Sequence, residues 1–313
     1  MAAKKIAVLF PGQGSQYVGM AKEFLEADAE ARELMAMAER VSGMPLGCLC
    51  LEGPIEELTR TLSLQPAMTV VNLICWQALG KAGVKADFFA GHSLGEYAAL
   101  CAAGVLGTEE TLALVTERGR LMEREAGANP GGMHAVVKLD IDTVRGIVAA
   151  AQAKGALTLA NHNSAEQIVI SGETAALDAA AELVKEKGGK AIPLKVSGAW
   201  HSDLIKGAVP DFEQALAKVD VKSPHTPLLF NVTAAAETDP ARIRATMARQ
   251  IAATVRWYEI VQHLLAAGVD TFIEVGPKTV LTGLMKKILP PESSHKTLQV
   301  DTPATLTQCL AEL

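Results

Sequence analysis

The chain has 313 residues, of which 49% are hydrophobic but only 4% aromatic, and its formal net charge is −6. That length can bury a large core, with one large domain and a smaller one attached, and an apolar set dominated by Ala, Val, Leu and Ile suits α/β layers. No Lys/Arg run exceeds two residues, which argues against nucleic acid or an anionic membrane as partner.

No stretch approaches the roughly 20 consecutive apolar residues of a membrane span. Five cysteines without a C-x-x-C pair offer no structural metal site, and a reduced, cytoplasmic protein is expected. The apolar run Ile6 to Phe10 is broken at Pro11-Gly12, too early for a signal peptide, and reads as a first strand buried inside a parallel sheet. In the following Pro11 to Gln16 loop a Gly-x-Gly suggests a dinucleotide site, but Tyr17 stands where the third glycine belongs. A loop presenting backbone N–H groups at a sheet edge remains as the alternative.

Residues 20–42 show an amphipathic helical pattern with a break near Asp28, and residues 66–83 read as a buried helix opened by Pro66 and closed by Gly83. Phe88 to Ala90 is a strand running into Gly91-His92-Ser93-Leu94-Gly95 and then a helix of small and apolar residues. This is the pattern of a nucleophile elbow. Its glycines are expected to permit close backbone approach and positive φ, with Ser93 exposed at a helix N-terminus that favours developing negative charge. Thr108 to Ala126 reads as a helix with Thr108 as N-cap and a charged face holding Glu117, Arg118, Arg120, Glu123, Arg124 and Glu125.

The Gly/Pro cluster at 127–132 marks a boundary. Beyond it come strand 134–139, helix 142–154, strands 157–160 and 167–171, helix 173–186 and strand 190–196. That βαββαβ order predicts a ferredoxin-like subdomain over 129–196. From Ser197 a helical stretch reaches Lys218, and then follow strand 228–232, helices 240–251 and 258–267, strand 271–275 and helix 280–289. Strands and helices alternate on both sides of the insert, so 1–128 and 197–313 are expected to form one large α/β domain with a mostly parallel sheet.

A serine hydroxyl needs a base within hydrogen-bond reach to act as a nucleophile, and seven histidines are available. His92 should point to the far side of the elbow, His263 and His295 read as surface, His134 opens a strand and His225 lies in a Pro-flanked loop. His201, where the chain re-enters the large domain, is modestly favoured over His162, which could also face the cleft.

Five motifs occur in register: Phe-Pro-Gly-Gln-Gly-Ser-Gln at 10–16, Gly-His-Ser-Leu-Gly-Glu at 91–96, Arg-Gly-Arg-Leu-Met at 118–122, Val-Ser-Gly-Ala-Trp-His-Ser at 196–202 and Glu-Val-Gly-Pro at 274–277. Together they closely resemble the malonyl-CoA:acyl carrier protein transacylases of fatty acid synthesis, over essentially the whole chain. The resemblance implies an α/β-hydrolase-like large domain with the ferredoxin-like insert. It implies Ser93 as nucleophile, His201 as base oriented by a carbonyl rather than a carboxylate, and the N–H groups of Gln13 and Leu94 as oxyanion hole. Arg118 would hold the malonyl carboxylate, with Gln250, His92, Asn161 and Trp200 as further substrate-binding residues, and Asn163 could line the same side of the cleft as Asn161.

Malonyl-CoA is then the substrate, no cofactor is bound, and the partner is an acidic acyl carrier protein bearing phosphopantetheine, met by a monomer through Lys286 and Lys287, with Lys190 a weaker candidate. Trp200 stands where malonyl-using members more often have Phe, and should still crowd an α-methyl branch. Lys278 replaces a small residue and puts a positive charge near the expected cleft mouth. The competing readings are a serine esterase or thioesterase, whose histidine usually lies near the C-terminus, and a non-enzymatic scaffold with a vestigial serine.

Overall fold

The structure is a computed structural model that describes residues 4–290 and 292–313. The first part of the chain forms β1 (Ile6–Phe10), α1 (Lys22–Ala27), α2 (Ala29–Ser42), α3 (Leu46–Leu51), α4 (Ile55–Thr59), α5 (Thr61–Lys81), β2 (Phe88–Gly91), α6 (Gly95–Ala102) and α7 (Thr108–Ala128). A second unit follows as β3 (Gly132–Val137), α8 (Ile141–Ala151), β4 (Leu157–Ser164), β5 (Gln167–Gly172), α9 (Thr174–Glu186) and β6 (Lys190–Pro193). The chain then builds α10 (Ala208–Leu216), β7 (Leu228–Leu229), α11 (Pro240–Gln250), α12 (Trp257–Ala266), β8 (Thr271–Val275), α13 (Val280–Ile288), β9 (Lys296–Val300) and α14 (Pro303–Glu312).

Five strands make a parallel sheet in the order β7-β2-β1-β8-β9. The period of two in β1 divides its side chains between two layers: Val8 and Phe10 join the core formed with α5, α6 and α7, while Ala7 and Leu9 pack with Trp257, Ile260 and Leu264 of α12 and Leu281 of α13. Burial on both faces is why β1 reads as a continuous apolar run. The carboxyl ends of β1, β2, β7 and β8 all open at one edge, where ligands of open α/β sheets bind.

The second sheet is antiparallel, in the order β4-β5-β3-β6. One face carries α8 and α9 on Val136, Ile168 and Ile170, and Met133, Ala135 and Val169 on the other join the core of the first unit. Its edge strand β4 reaches across to the segment after α11: Val255 N–H donates to Ala160 O at 2.8 Å, His162 N–H to Val255 O at 2.9 Å, and Thr254 Oγ1 to Leu159 O at 2.6 Å.

Several expectations need correction. The helix expected to start at Pro66 begins one turn earlier, at Thr61, with Pro66 inside it. As the sixth residue of the helix, Pro66 lies past the unpaired donors of the first turn, so the N–H it lacks costs the helix one bond to the carbonyl four residues back. Spanning 21 residues, α5 is long and apolar enough to cross a membrane, contrary to the expectation that no stretch comes close; every side chain from Ser63 to Cys75 is instead buried in the fold. Gly107, not Thr108, is the N-cap of α7. Directly after His295, which reads as surface in the sequence, comes β9, which pairs with β8 from Thr271–Lys296 to Val275–Val300.

Candidate active site

The elbow joins β2 to α6 by packing backbone against backbone. A Cβ on Gly95 would lie 2.0 Å from Phe10 O, one on Gly91 2.1 Å from the Gly95 carbonyl group, and one on Gly12 2.5 Å from His92 O. Close approach is thus what these glycines provide. The expected positive φ falls elsewhere, on Ser93 itself at 51°, a left-handed conformation disfavoured for a residue with a Cβ. His201 shares it, with φ 57°.

Ser93 Oγ lies 2.7 Å from His201 Nε2. On the far side of the ring Nδ1 meets two backbone carbonyls at the end of α11, Gln250 O at 3.1 Å and Ala253 O at 3.0 Å. Carbonyl oxygens only accept, so Nδ1 carries the proton and Nε2 offers its lone pair to the serine hydroxyl. Burial, reinforced by the charge of Arg118 and by His92, pushes the His201 pKa down to about 3, and the imidazole is neutral at physiological pH.

A cavity of about 110 Å³ opens beside this pair and is lined by Gln13, His92, Ser93, Leu94, Arg118, Asn161, Trp200 and His201, with Met122, Met133, Leu194 and Val196. Among the described residues, no acceptor of the chain takes the backbone N–H of Gln13 or Leu94, so both remain available to an oxygen in the cavity. Arg118 is 1% exposed, not on the charged face of α7. It lies on the buried stripe of Leu114, Val115, Leu121 and Met122, while Arg120 and Arg124 pair with surface carboxylates. The Arg118 guanidinium stacks 5.4 Å over the Tyr97 ring and donates to Gln65 Oε1 at 2.9 Å and Gln250 Oε1 at 3.0 Å. These partners are neutral amides, so burial lowers its pKa and leaves its charge without a bonded anion.

Gln250 serves all three residues: its Oε1 accepts from Arg118, its Nε2 donates to Ser93 O at 2.7 Å, and its backbone carbonyl orients His201. His92 turns to the second sheet, with Nε2 2.8 Å from Asn163 Oδ1, and burial lowers its pKa. His162, the second candidate base, is turned away from Ser93. It packs on Tyr258 with Nδ1 3.1 Å from Glu259 Oε1, because strand alternation gives the cleft side to Asn161 and Asn163, which line an adjoining groove with Val280 and Leu281.

Three contributors were not singled out from the sequence. Gln65 lies in the helical turn just before the start expected at Pro66. Asn231 follows the short strand β7 and accepts from Ser93 N–H at 2.7 Å. Glu96 stands inside a recognised motif but is 0% exposed, and burial pushes its pKa up to about 8; nothing in its polarity signals a core position.

The chain therefore falls in the class of mixed α/β proteins with a serine–histidine pair at a strand-to-helix turn. Within that class it belongs to the acyl transferase family, whose domain model matches residues 8–300. It is 40% identical to the malonyl CoA-acyl carrier protein transacylase of Bacillus subtilis, over 96% of this chain and 95% of that one. It also superimposes on the acyl-carrier-protein S-malonyltransferase of Burkholderia pseudomallei with a TM-score of 0.93 at 41% identity, covering 98% and 99% of the two chains. A malonyl-transacylase solved in complex with a type II polyketide acyl-carrier protein matches with a TM-score of 0.94 at 33% identity, over 99% and 100%.

Proposed function

We propose that the chain moves a malonyl group from malonyl-CoA to the phosphopantetheine thiol of an acyl carrier protein, through an ester on Ser93. His201 Nε2 takes the Ser93 proton as Oγ attacks the thioester carbonyl, and the oxyanion is received by the N–H groups of Gln13 and Leu94. Collapse of the tetrahedral species expels the CoA sulfur, which takes from His201 the proton that Ser93 gave up. In the second half the carrier thiol gives its proton to His201 and attacks the ester, and Ser93 leaves with that proton. Throughout, the free malonyl carboxylate lies on Arg118, whose planar guanidinium suits bidentate carboxylate binding.

The observation that carries this reading is an uncompensated buried guanidinium facing the cavity of the 2.7 Å Ser93–His201 pair. A hydrolase is not favoured, because the family and the named relatives are acyl transferases. The residue roles, the division into 1–128 with 197–313 and an inserted 129–196, and the α/β-hydrolase-like and ferredoxin-like descriptions belong to the same proposal. The βαββαβ element order and the β4-β5-β3-β6 sheet support the last of these. For the carrier, Lys286 and Lys287 are exposed at the end of α13, whose first turn borders the cleft, and their charge suits an acidic partner.

The test is incubation with labelled malonyl-CoA followed by peptide mapping. Malonyl should be found on Ser93 in the native protein and nowhere in Ser93→Ala; label on another residue would contradict the proposal.

A further inference from the structure

Both backbone polar groups of Ser93 are held by buried side-chain amides. Gln250 Nε2 donates to its carbonyl, and Asn231 Oδ1 accepts from its N–H, each at 2.7 Å. Asn231 does more than this, since its Nδ2 donates to Gly91 O at 2.7 Å, so that one amide spans the turn from the end of β2 to the serine. Its own N–H donates to Glu96 Oε2 at 2.5 Å, in the first turn of α6. Asn231 and Glu96 are both 0% exposed, and the segment after β7 is thereby tied to the strand end, the serine and the helix start.

Ser93 needs such ties, because a residue with a Cβ keeps a left-handed conformation only where its surroundings over-determine it. We propose that Asn231, held in turn by Glu96, is a positioning residue for the Ser93 nucleophile, fixing the turn so that Oγ stays on His201 Nε2. This rests on reading Ser93 as the acylated residue. One chemical consequence is that the Ser93 N–H is already occupied, and the oxyanion receives its donors from Leu94 and Gln13 alone. A purely architectural Asn231 would affect folding without changing the chemistry of the molecules that fold.

The experiment is single-turnover acylation with labelled malonyl-CoA, counted per folded molecule by reference to the cooperative melting signal. Asn231→Ala should slow acylation about 10²-fold, the usual effect of a reacting group displaced by about 1 Å. Its apparent affinity for malonyl-CoA should change by less than about threefold, because Arg118 keeps both its partners and ground-state binding is untouched. Glu96→Ala should lose rate in the same direction. Glu96→Gln should recover most of that loss, since its amide oxygen still accepts from the Asn231 N–H.

Acylation of Asn231→Ala at the native rate per folded molecule, or a loss confined to affinity, would overturn the proposal. Should that variant fail to fold, the Glu96 pair decides, and equal rates in Glu96→Gln and Glu96→Ala would overturn it. Failure of the underlying reading is distinct, because the native protein itself would then carry no label on Ser93.

Discussion

Arg118 joins the chemistry to one kind of acyl group. Its guanidinium is desolvated and bonded only to amide oxygens, so a carboxylate in the cavity would gain a strong charged partner. Removing one member of such a buried pair costs about 2–5 kcal/mol, which corresponds to a loss of tens- to thousands-fold. Arg118→Ala should therefore suppress malonyl transfer to that extent while sparing or raising acetyl transfer, measured as kcat/KM for the two CoA esters; equal losses would contradict the carboxylate role. Glu96 leads to a different measurement. Burial raises its pKa from 4.5 to about 8, so the folded state retains a proton that the unfolded chain has released. Its contribution to stability is fully present below about pH 4.5 and is lost as pH rises through about 8. Glu274, raised by burial to about 7, contributes over the lower part of that range, and Glu96 alone between about 7 and 8. Glu96→Gln should flatten the fall of Tm with pH in that upper window, and an unchanged slope would show that Glu96 ionises normally. Ser93 was legible because glycines, a strand and a helix surround it in sequence. Arg118 was legible only through the family resemblance, since a charged residue among Glu and Arg reads as surface even where its spacing to Leu114, Val115, Leu121 and Met122 puts it on the buried stripe.

The helices position these side chains through close approach, which makes glycines in them respond in opposite directions. A Cβ on Gly119 of α7 would meet Thr61 O at 2.8 Å and Leu62 Cα at 3.3 Å on α5. Backbone cannot swing aside as a side chain can, so overpacking of about 1–3 kcal/mol outweighs the gain of about 1 kcal/mol in helix propensity. Gly146 of α8 is exposed with nothing within 4 Å, and there propensity acts alone. Gly119→Ala should lower the denaturation midpoint and Gly146→Ala should raise it. A stabilising Gly119→Ala would mean that α5 and α7 are less tightly apposed. Element existence was readable for the long periodic segments, including the break at Asp28, whose side chain accepts from Glu30 N–H to cap α2. It failed where local signals compete: Pro66 marked a helix start that lies at Thr61, and as a result Gln65, a partner of Arg118, went unnoticed.

At the scale of the whole molecule the site is assembled from segments far apart in sequence. The parallel sheet brings the ends of β1 and β2 together through the pairing of Phe10 with Gly91, and the 11–16 loop meets the elbow there. The second sheet contributes through its edge strand β4: Asn163 holds His92 beside the nucleophile, and the same strand grips Thr254 and Val255, next to the Ala253 carbonyl that orients His201. Alternation of strands and helices announced the parallel sheet. The bond between β4 and residues 254–255 has no local signature, because it is made by two segments that only the finished fold places side by side. A cavity built in this way is read as a transfer site, in which the acyl group waits on serine for a thiol. The most direct measurement is the fate of malonyl–Ser93 once it has formed: its rate of discharge by phosphopantetheine-bearing carrier protein against its rate of loss to water. Rapid transfer to the carrier thiol with slow hydrolysis is the predicted result. Loss to water at the same rate with or without the carrier would contradict it.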